Sequence, residues 1–367
     1  MGKTSNVLVL GGCGFIGRHL VTYLIKNNLA EKVRVADKSP PQLSWFNAEH
    51  KAVFEDPRVE FFQANLVNPA HVERVFATNG FLFDYVINLA SETRYGQGDE
   101  VYTEHIYNLG VNVATKSASC KVKRYIELST AQVYESDKKA SDEEGKLNPW
   151  TSLAMFKLNL EKKLRDIDGL DYVIIRPALV YGISDKHSLT PRLIIGAVYK
   201  QLQEKMKLLW SKDLKMNTVH VNDVAIAIWF LCTHGKKGDV YNLVDKQDST
   251  QGSISELVCQ IFGIKYDFFG SVISNVAKLN MNGVVDESNE KHLAPWSVAC
   301  TADKIVNTPL SPYLDKEILY NNHLHIEGKK IESLGFKYTK PYVTAEELKL
   351  VVQDYVTLGI FPPSLVG

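Results

Sequence analysis

The chain has little that would tie it to a membrane, an oxidising compartment or a polyanion. Its five cysteines (Cys13, Cys120, Cys232, Cys259, Cys300) are odd in number, scattered and without a CxxC pair, which excludes a disulfide framework and fits reduced thiols. The best apolar run, 224–232, is about half of what a membrane span needs. The N-terminus enters an apolar strand within a few residues and lacks the apolar core and small-residue cleavage site of a signal peptide. Met1-Gly2 opens only a partial match to an acylation signal, because Asn6 stands where Ser or Thr is required. Lys+Arg and Asp+Glu both total 42, so no basic surplus awaits a nucleic-acid backbone. Neither His187 nor His220 has ligand-spaced neighbours, and repeats and low-complexity linkers are missing. These absences predict a cytoplasmic protein with no membrane span, no nucleic-acid partner and no metal.

What is present is a core and a rhythm. The chain has 367 residues, of which 45% are hydrophobic, enough for one large or two moderate domains. Apolar runs of strand length ("NVLVL", "VRVAD", "VEFFQ", "YVINLA", "RYIELS", "YVIIRP") alternate with helical segments at Phe15–Asn27, Pro69–Phe76, Glu100–Ala118 and Leu153–Ile167. That alternation predicts an α/β fold, a Rossmann-type doubly wound parallel sheet covered on both faces, and strands apolar throughout suit double burial. After "RPALVYG" the rhythm loosens, returns to the sheet at 217–231 and "DVYNLVD", and changes character from about Thr250. The expected division is a nucleotide-binding domain over 1–182 plus about 213–250, and a smaller, discontinuous substrate domain over about 183–212 plus 251–367. The segment 135–146 is expected to be a charged surface loop.

In "VLVLGGCGFIGRHLVTYLI" the glycines Gly11, Gly14 and Gly17 lie between a strand and an amphipathic helix. The first permits a tight turn, the second lets the backbone approach a pyrophosphate, and the third lets helix and strand pack closely. Asp37 closes the next strand about twenty residues further on, the spacing of a dinucleotide site. Its carboxylate suits ribose hydroxyls and repels a 2′-phosphate, so NAD is favoured over NADP, although Arg18 and Lys38 stand nearby.

The GGxGxxG spacing and a series of later landmarks resemble the extended short-chain dehydrogenase/reductase superfamily of NAD-dependent epimerases, dehydratases and steroid dehydrogenases. The matches run in order from about residue 5 to 250: "GGCGFIG", Asn65-Leu66, "VINLAS", Asn112 in "LGVNVA", "ELSTAQVY", "RPALVYG" and "VHVNDVAIA". The resemblance implies that Gly11, Gly14, Phe15, Ile16, Gly17, Asp37, Asn65, Leu66, Leu89, Ala90, Lys157 and Pro177 contact the cofactor. It also implies a homodimer or a place in a larger assembly, and a nucleotide-sugar or sterol-like substrate.

The family's acid-base pair is a tyrosine with a lysine four residues later. Lys157 is correctly placed, on what reads as an exposed helical turn, but Leu153 holds the tyrosine position and "WTSLAMF" contains no tyrosine. Thr130 matches the hydroxyl that polarises a substrate carbonyl. Ala131-Gln132 replaces the acidic pair of dehydratases, and Met216, beside Lys215, stands where nucleotide-sugar enzymes carry a diphosphate-binding arginine. A leucine cannot move a proton, so a relocated acid is needed, and Tyr95 after "VINLAS" is the candidate. Tyr134 and Tyr181 read as packing tyrosines, Glu92 as a paired carboxylate, His187 and His220 as structural or exposed groups, and Trp210 as an apolar anchor. The expected function is an NAD-dependent epimerase or dehydrogenase with an atypical active site. Two alternatives stand beside it: a non-catalytic NAD-binding scaffold, and a steroid dehydrogenase-like enzyme.

Overall fold

Each apolar run marked as a strand in the first half folds as one, and all of them enter a single sheet. In the computed structural model, which describes residues 5–366, the strands are β1 (Ser5–Leu10), β2 (Ala30–Asp37), β3 (Val59–Gln63), β4 (Tyr85–Asn88), β5 (Arg124–Leu128), β6 (Tyr172–Pro177), β7 (Leu179–Tyr181), β8 (Met206–Leu208), β9 (Thr218–His220), β10 (Val240–Leu243) and β11 (Tyr266–Phe268). The acylation match at Met1-Gly2 lies outside the described residues. A seven-stranded, wholly parallel sheet runs in the order β10-β6-β5-β4-β1-β2-β3.

The helices are α1 (Phe15–Lys26), α2 (Ala48–Phe54), α3 (Pro69–Phe76), α4 (Asp99–Tyr102), α5 (Leu109–Ser119), α6 (Ser152–Leu164), α7 (Thr190–Leu202), α8 (Val221–His234), α9 (Gln251–Phe262), α10 (Ser271–Leu279), α11 (Met281–Ala302), α12 (Lys329–Ser333) and α13 (Ala345–Thr357). Successive side chains of a strand point to opposite faces. Along β1, Val7 and Val9 pack with Leu20 of α1 and Ile228 of α8, while Leu8 and Leu10 pack with Val75 of α3, Val113 of α5 and Leu160 of α6. All four β1 residues are fully buried, so neither face of the strand needs a polar residue.

Three expectations are corrected. β3 is an edge strand paired only with β2, and its residues are half-buried or exposed instead of doubly buried. The run 217–231 does not rejoin the sheet: β9 pairs with β7 in a separate ribbon, and α8 begins at Val221, its apolar faces packed largely against α1. The helix expected over 100–118 starts at Asp99 and carries a π-helical turn, Thr103–Asn108, before α5.

A second core joins α7, α9, α11 and α13 through Leu193, Val258, Phe262, Trp296, Val352 and Phe361. The chain does not stay with that core to its end. Leu324, Ile326, Ile331 and Phe336 cross back and bury against the α1/α8 side of the sheet.

Candidate active site

The carboxyl ends of β1, β4, β5 and β6 border a cavity of about 540 Å³. It lies where strand order reverses between β1 and β4, the position at which open parallel sheets take ligands. A Cβ on Gly11 would come within 2.6 Å of the Ala90 nitrogen, and one on Gly17 within 2.4 Å of the Gly11 oxygen, so glycine is required at both. At Gly14 a Cβ would meet only the Gly11 oxygen, at 3.1 Å, and the backbone is open to the cavity. No side chain caps α1, which leaves its first N–H groups available to an anion. Phe15, Ile16, Asn65, Leu66, Leu89, Ala90 and Pro177 line the same cavity, so the residues singled out as cofactor contacts converge there. An uncapped helix start beside an open glycine fits a dinucleotide's pyrophosphate.

Asp37 accepts hydrogen bonds from the backbone of Cys13 and Ser39, both at 3.0 Å. Burial raises its pKa while those N–H groups pull it down. Arg18 is not available to a 2′-phosphate. Its Nε donates to the Gly14 oxygen, Nη1 to the Trp45 oxygen and Ser184 Oγ, and Nη2 to the Cys13 and Ser44 oxygens. All five N–H donors of the guanidinium are thereby used.

Lys157 corrects the sequence reading: it is buried, not on an exposed turn. Its Nζ donates to the Leu128 oxygen at 2.8 Å and lies 3.5 Å from Glu127 Oε1. Glu127 is itself buried, and its Oε2 accepts from Asn88 at 2.8 Å and from the Tyr125 hydroxyl at 2.6 Å. Burial raises the Glu127 pKa, and Lys157 leads the opposing influences. Leu153 packs against Tyr102, Ile106 and Phe156 at the cavity edge.

Thr130 lines the cavity, and its Oγ1 accepts from the Gln132 backbone at 3.2 Å, which leaves its proton free. Gln132 belongs to a directional chain. The Ala154 N–H, in the first turn of α6, donates to Thr151 Oγ1; Thr151 donates to Gln132 Oε1 at 3.0 Å; Gln132 Nε2 donates to the Tyr95 hydroxyl oxygen at 2.7 Å. Tyr95 therefore has its own proton to give. Burial pushes its pKa up to about 12, opposed by the Gln132 bond.

A second cavity of about 160 Å³ adjoins the first, and Tyr95, Gln132, Leu179, His187, Ser188 and Leu324 line both. Met216, Lys215, Trp210 and Arg192 line the second alone. Trp210 is buried with its Nε1 donating to the Leu319 oxygen. Tyr134 bonds Arg176 and Asn242 within the core, and Tyr181 is fully buried. His220 caps α8. Glu92 pairs with Arg94 at 2.8 Å; burial acts to raise its pKa, but Arg94 and two backbone N–H groups outweigh it and hold the carboxyl at about 2. Asn112 ties α5 to the Val67 oxygen. Sequence reasoning passes over Glu127 and Arg192, and considers Gln132 only for the acid it is not. Their partners are set by tertiary contacts, with no local motif to mark them.

A model described as the NAD dependent epimerase/dehydratase family matches residues 7–243. A trifunctional UDP-glucose 4,6-dehydratase/UDP-4-keto-6-deoxy-D-glucose 3,5-epimerase/UDP-4-keto-L-rhamnose-reductase of Arabidopsis thaliana is 23% identical over 309 residues, 81% of this chain and 45% of that protein. A dTDP-D-glucose 4,6-dehydratase of Dictyostelium discoideum is 25% identical over 259 residues, 65% of this chain and 58% of that protein. The chain thus spans about half the length of these curated relatives. Among solved structures, a dTDP-glucose 4,6-dehydratase from Streptomyces venezuelae with NAD bound aligns with a TM-score of 0.68 at 21% identity, covering 96% of this chain and 97% of that chain. The UDP-glucose 4-epimerase of Thermus thermophilus in complex with NAD gives 0.67 at 20% identity, covering 96% and 99%. At these identities the likeness is one of fold.

Proposed function

This chain belongs to the NAD-dependent epimerase/dehydratase family, and from that premise we propose that it is an NAD-dependent epimerase or dehydrogenase of nucleotide-linked sugars whose proton donor has moved to Tyr95. The observation that carries this reading is the oriented chain from Ala154 through Thr151 and Gln132 to Tyr95, which ends where the two cavities meet.

NAD, when bound, supplies the hydride acceptor and donor. The uncapped start of α1 and the open backbone of Gly14 would hold the pyrophosphate, and Asp37 the adenosine ribose. Asn65 and Leu66 would serve the adenine, and Leu89, Ala90, Lys157 and Pro177 the nicotinamide half. The Thr130 and Tyr95 hydroxyls both donate to the substrate oxygen, and Tyr95 gives up its proton as charge develops there. A phenol held near pKa 12 is protonated at neutral pH, which suits it to act as an acid. The larger cavity takes the cofactor and the smaller one the rest of the substrate. A nucleotide domain and a substrate domain divide the chain accordingly, with 324–338 reassigned to the nucleotide side. Five unpaired cysteines support a reducing, cytoplasmic setting.

Calorimetric titration with NAD⁺ and NADP⁺, then a screen of UDP- and dTDP-sugars at the nicotinamide absorbance, tests the proposal. Preferential NAD⁺ binding and sugar-dependent turnover are expected; tighter NADP⁺ than NAD⁺ binding, or no turnover with any nucleotide sugar, overturns it. One observation favours a second reading, a non-catalytic NAD-binding subunit: Leu153 closes the tyrosine position with apolar packing. Under that reading, Lys157→Ala leaves the biological role intact.

A further inference from the structure

Arg74 and Arg165 are exposed to solvent; among the other arginines, all but one have partners. Arg176 pairs with Glu161, Arg34 with Glu60, Arg124 with Asp171, Arg58 with Asp56 and Arg94 with Glu92. Arg18 spends every donor on backbone and hydroxyl oxygens. Arg192, in the first turn of α7, makes one long bond, from Nη1 to the Ser188 oxygen at 3.3 Å, and has no carboxylate partner among the described residues. A half-buried guanidinium with most donors unused is left free to pair with an anion entering the cavity. Burial pushes its pKa down to about 10, against the opposing influence of Tyr95 and Asp185.

The surroundings point to the same ligand. Arg192, Ile195 and Tyr199 recur at helical spacing along one face of α7, and all three line the smaller cavity. No aspartate or glutamate lines that cavity among the described residues, whereas Lys207 and Lys215 do. Two further polar groups of its wall have no hydrogen-bond partner among the described residues: Ser188 Oγ and the ring of His292, a buried imidazole set edge-on to Tyr199. Met216 lines the same space and has no charge to offer.

We propose that Arg192 is the specificity-determining anion clamp of this site, gripping the diphosphate of the substrate from α7 in place of the guanidinium that Met216 lacks, with Ser188 and His292 as neutral donors beside it. The assignment rests on the nucleotide-sugar reading above. A planar fork takes two phosphate oxygens at once, which Lys215, a point charge already paired with Asp248, cannot do.

Full-length wild type, Arg192→Gln and Arg192→Lys are titrated with UDP, dTDP and inorganic pyrophosphate, with NAD⁺ as control, and their thermal unfolding is compared without ligand. The expected result is a loss of UDP or dTDP affinity of roughly 10- to 100-fold in Arg192→Gln, partial retention in Arg192→Lys, unchanged NAD⁺ affinity, and a melting temperature equal to wild type or higher. Unchanged nucleotide affinity in Arg192→Gln overturns the assignment while leaving the nucleotide-sugar reading intact. A lowered melting temperature with parallel loss of NAD⁺ binding makes Arg192 structural and also overturns it. Wild type that binds NAD⁺ but none of the three diphosphates overturns both.

Discussion

Gln132 Nε2 donates to the hydroxyl oxygen of Tyr95 at 2.7 Å, and the direction of that bond is fixed from behind by Thr151. An amide thus stands where dehydratases of the family carry an acid, and it aims a phenol at the junction of the two cavities.

Tyr95→Phe should lower turnover by roughly 10²- to 10⁴-fold, the range for loss of a general acid, with NAD⁺ affinity unchanged. Gln132→Ala should act in the same direction and more weakly. Steady-state rates and calorimetry on the same preparations check both.

The raised Tyr95 pKa, about 12, sets a pH signature. The acid form persists through the neutral range, so carbonyl reduction should show no loss of this proton donor between about pH 6 and pH 9. Alcohol oxidation needs the phenolate and should rise about tenfold per pH unit over the same span. Rate profiles in the two directions separate these outcomes.

Asp37→Ala should erode the preference for NAD over NADP by about tenfold or more, because it removes the charge facing the ribose position. Arg18 cannot turn the variant into a strong NADP enzyme, its donors being occupied. Paired titrations with the two cofactors measure the ratio.

Arg176 and Glu161 are both buried and joined through two nitrogens and two oxygens, at 3.0 and 2.5 Å. Glu161→Ala strands the guanidinium and should cost about 3–5 kcal/mol, read from urea unfolding. Replacing both partners with apolar residues of similar volume should cost less.

His19 and His50 lie edge to face, 5.0 Å apart. Burial lowers the pKa of His19 to about 4, and burial followed by the His19 and Arg18 charges lowers that of His50 to about 2, from 6.5 in each case. Arg18, Lys26 and His220 oppose protonation, while Glu49 and the Ile183 carbonyl favour it at His19. The unfolded chain binds these protons below pH 6.5 and the folded chain does not, so stability is full above that value and falls as pH drops toward 4. Urea midpoints across that window should decline less steeply in His50→Phe.

The parts of the site readable from sequence are those made by contiguous residues. The Gly11–Gly17 turn, Asp37 at a strand end and Asn65-Leu66 after the next strand owe their positions to chain order, so their convergence can be anticipated. Lys157 can be placed along the chain but not in depth, because its burial depends on Leu128 and Glu127 from a neighbouring strand. Thr151, Gln132 and Tyr95 come from three separate segments and meet only once the sheet has formed. The run 217–231 misleads because a wholly apolar stretch gives the same pattern for a buried helix as for a buried strand. α8 is apolar on nearly every side, and its packing against α1 decides the matter.

The crossing of residues 324–338 back to the first core joins the two halves of the molecule as a seam is joined, by stitches that pass repeatedly from one cloth to the other. Cutting the chain near Thr250 would release no independent half: the amino-terminal piece would bare the apolar wall that Leu324, Ile331 and Phe336 cover, and the remainder would lose α7. Synthesis must therefore pass Phe336 before the first core is complete and Leu365 before the second.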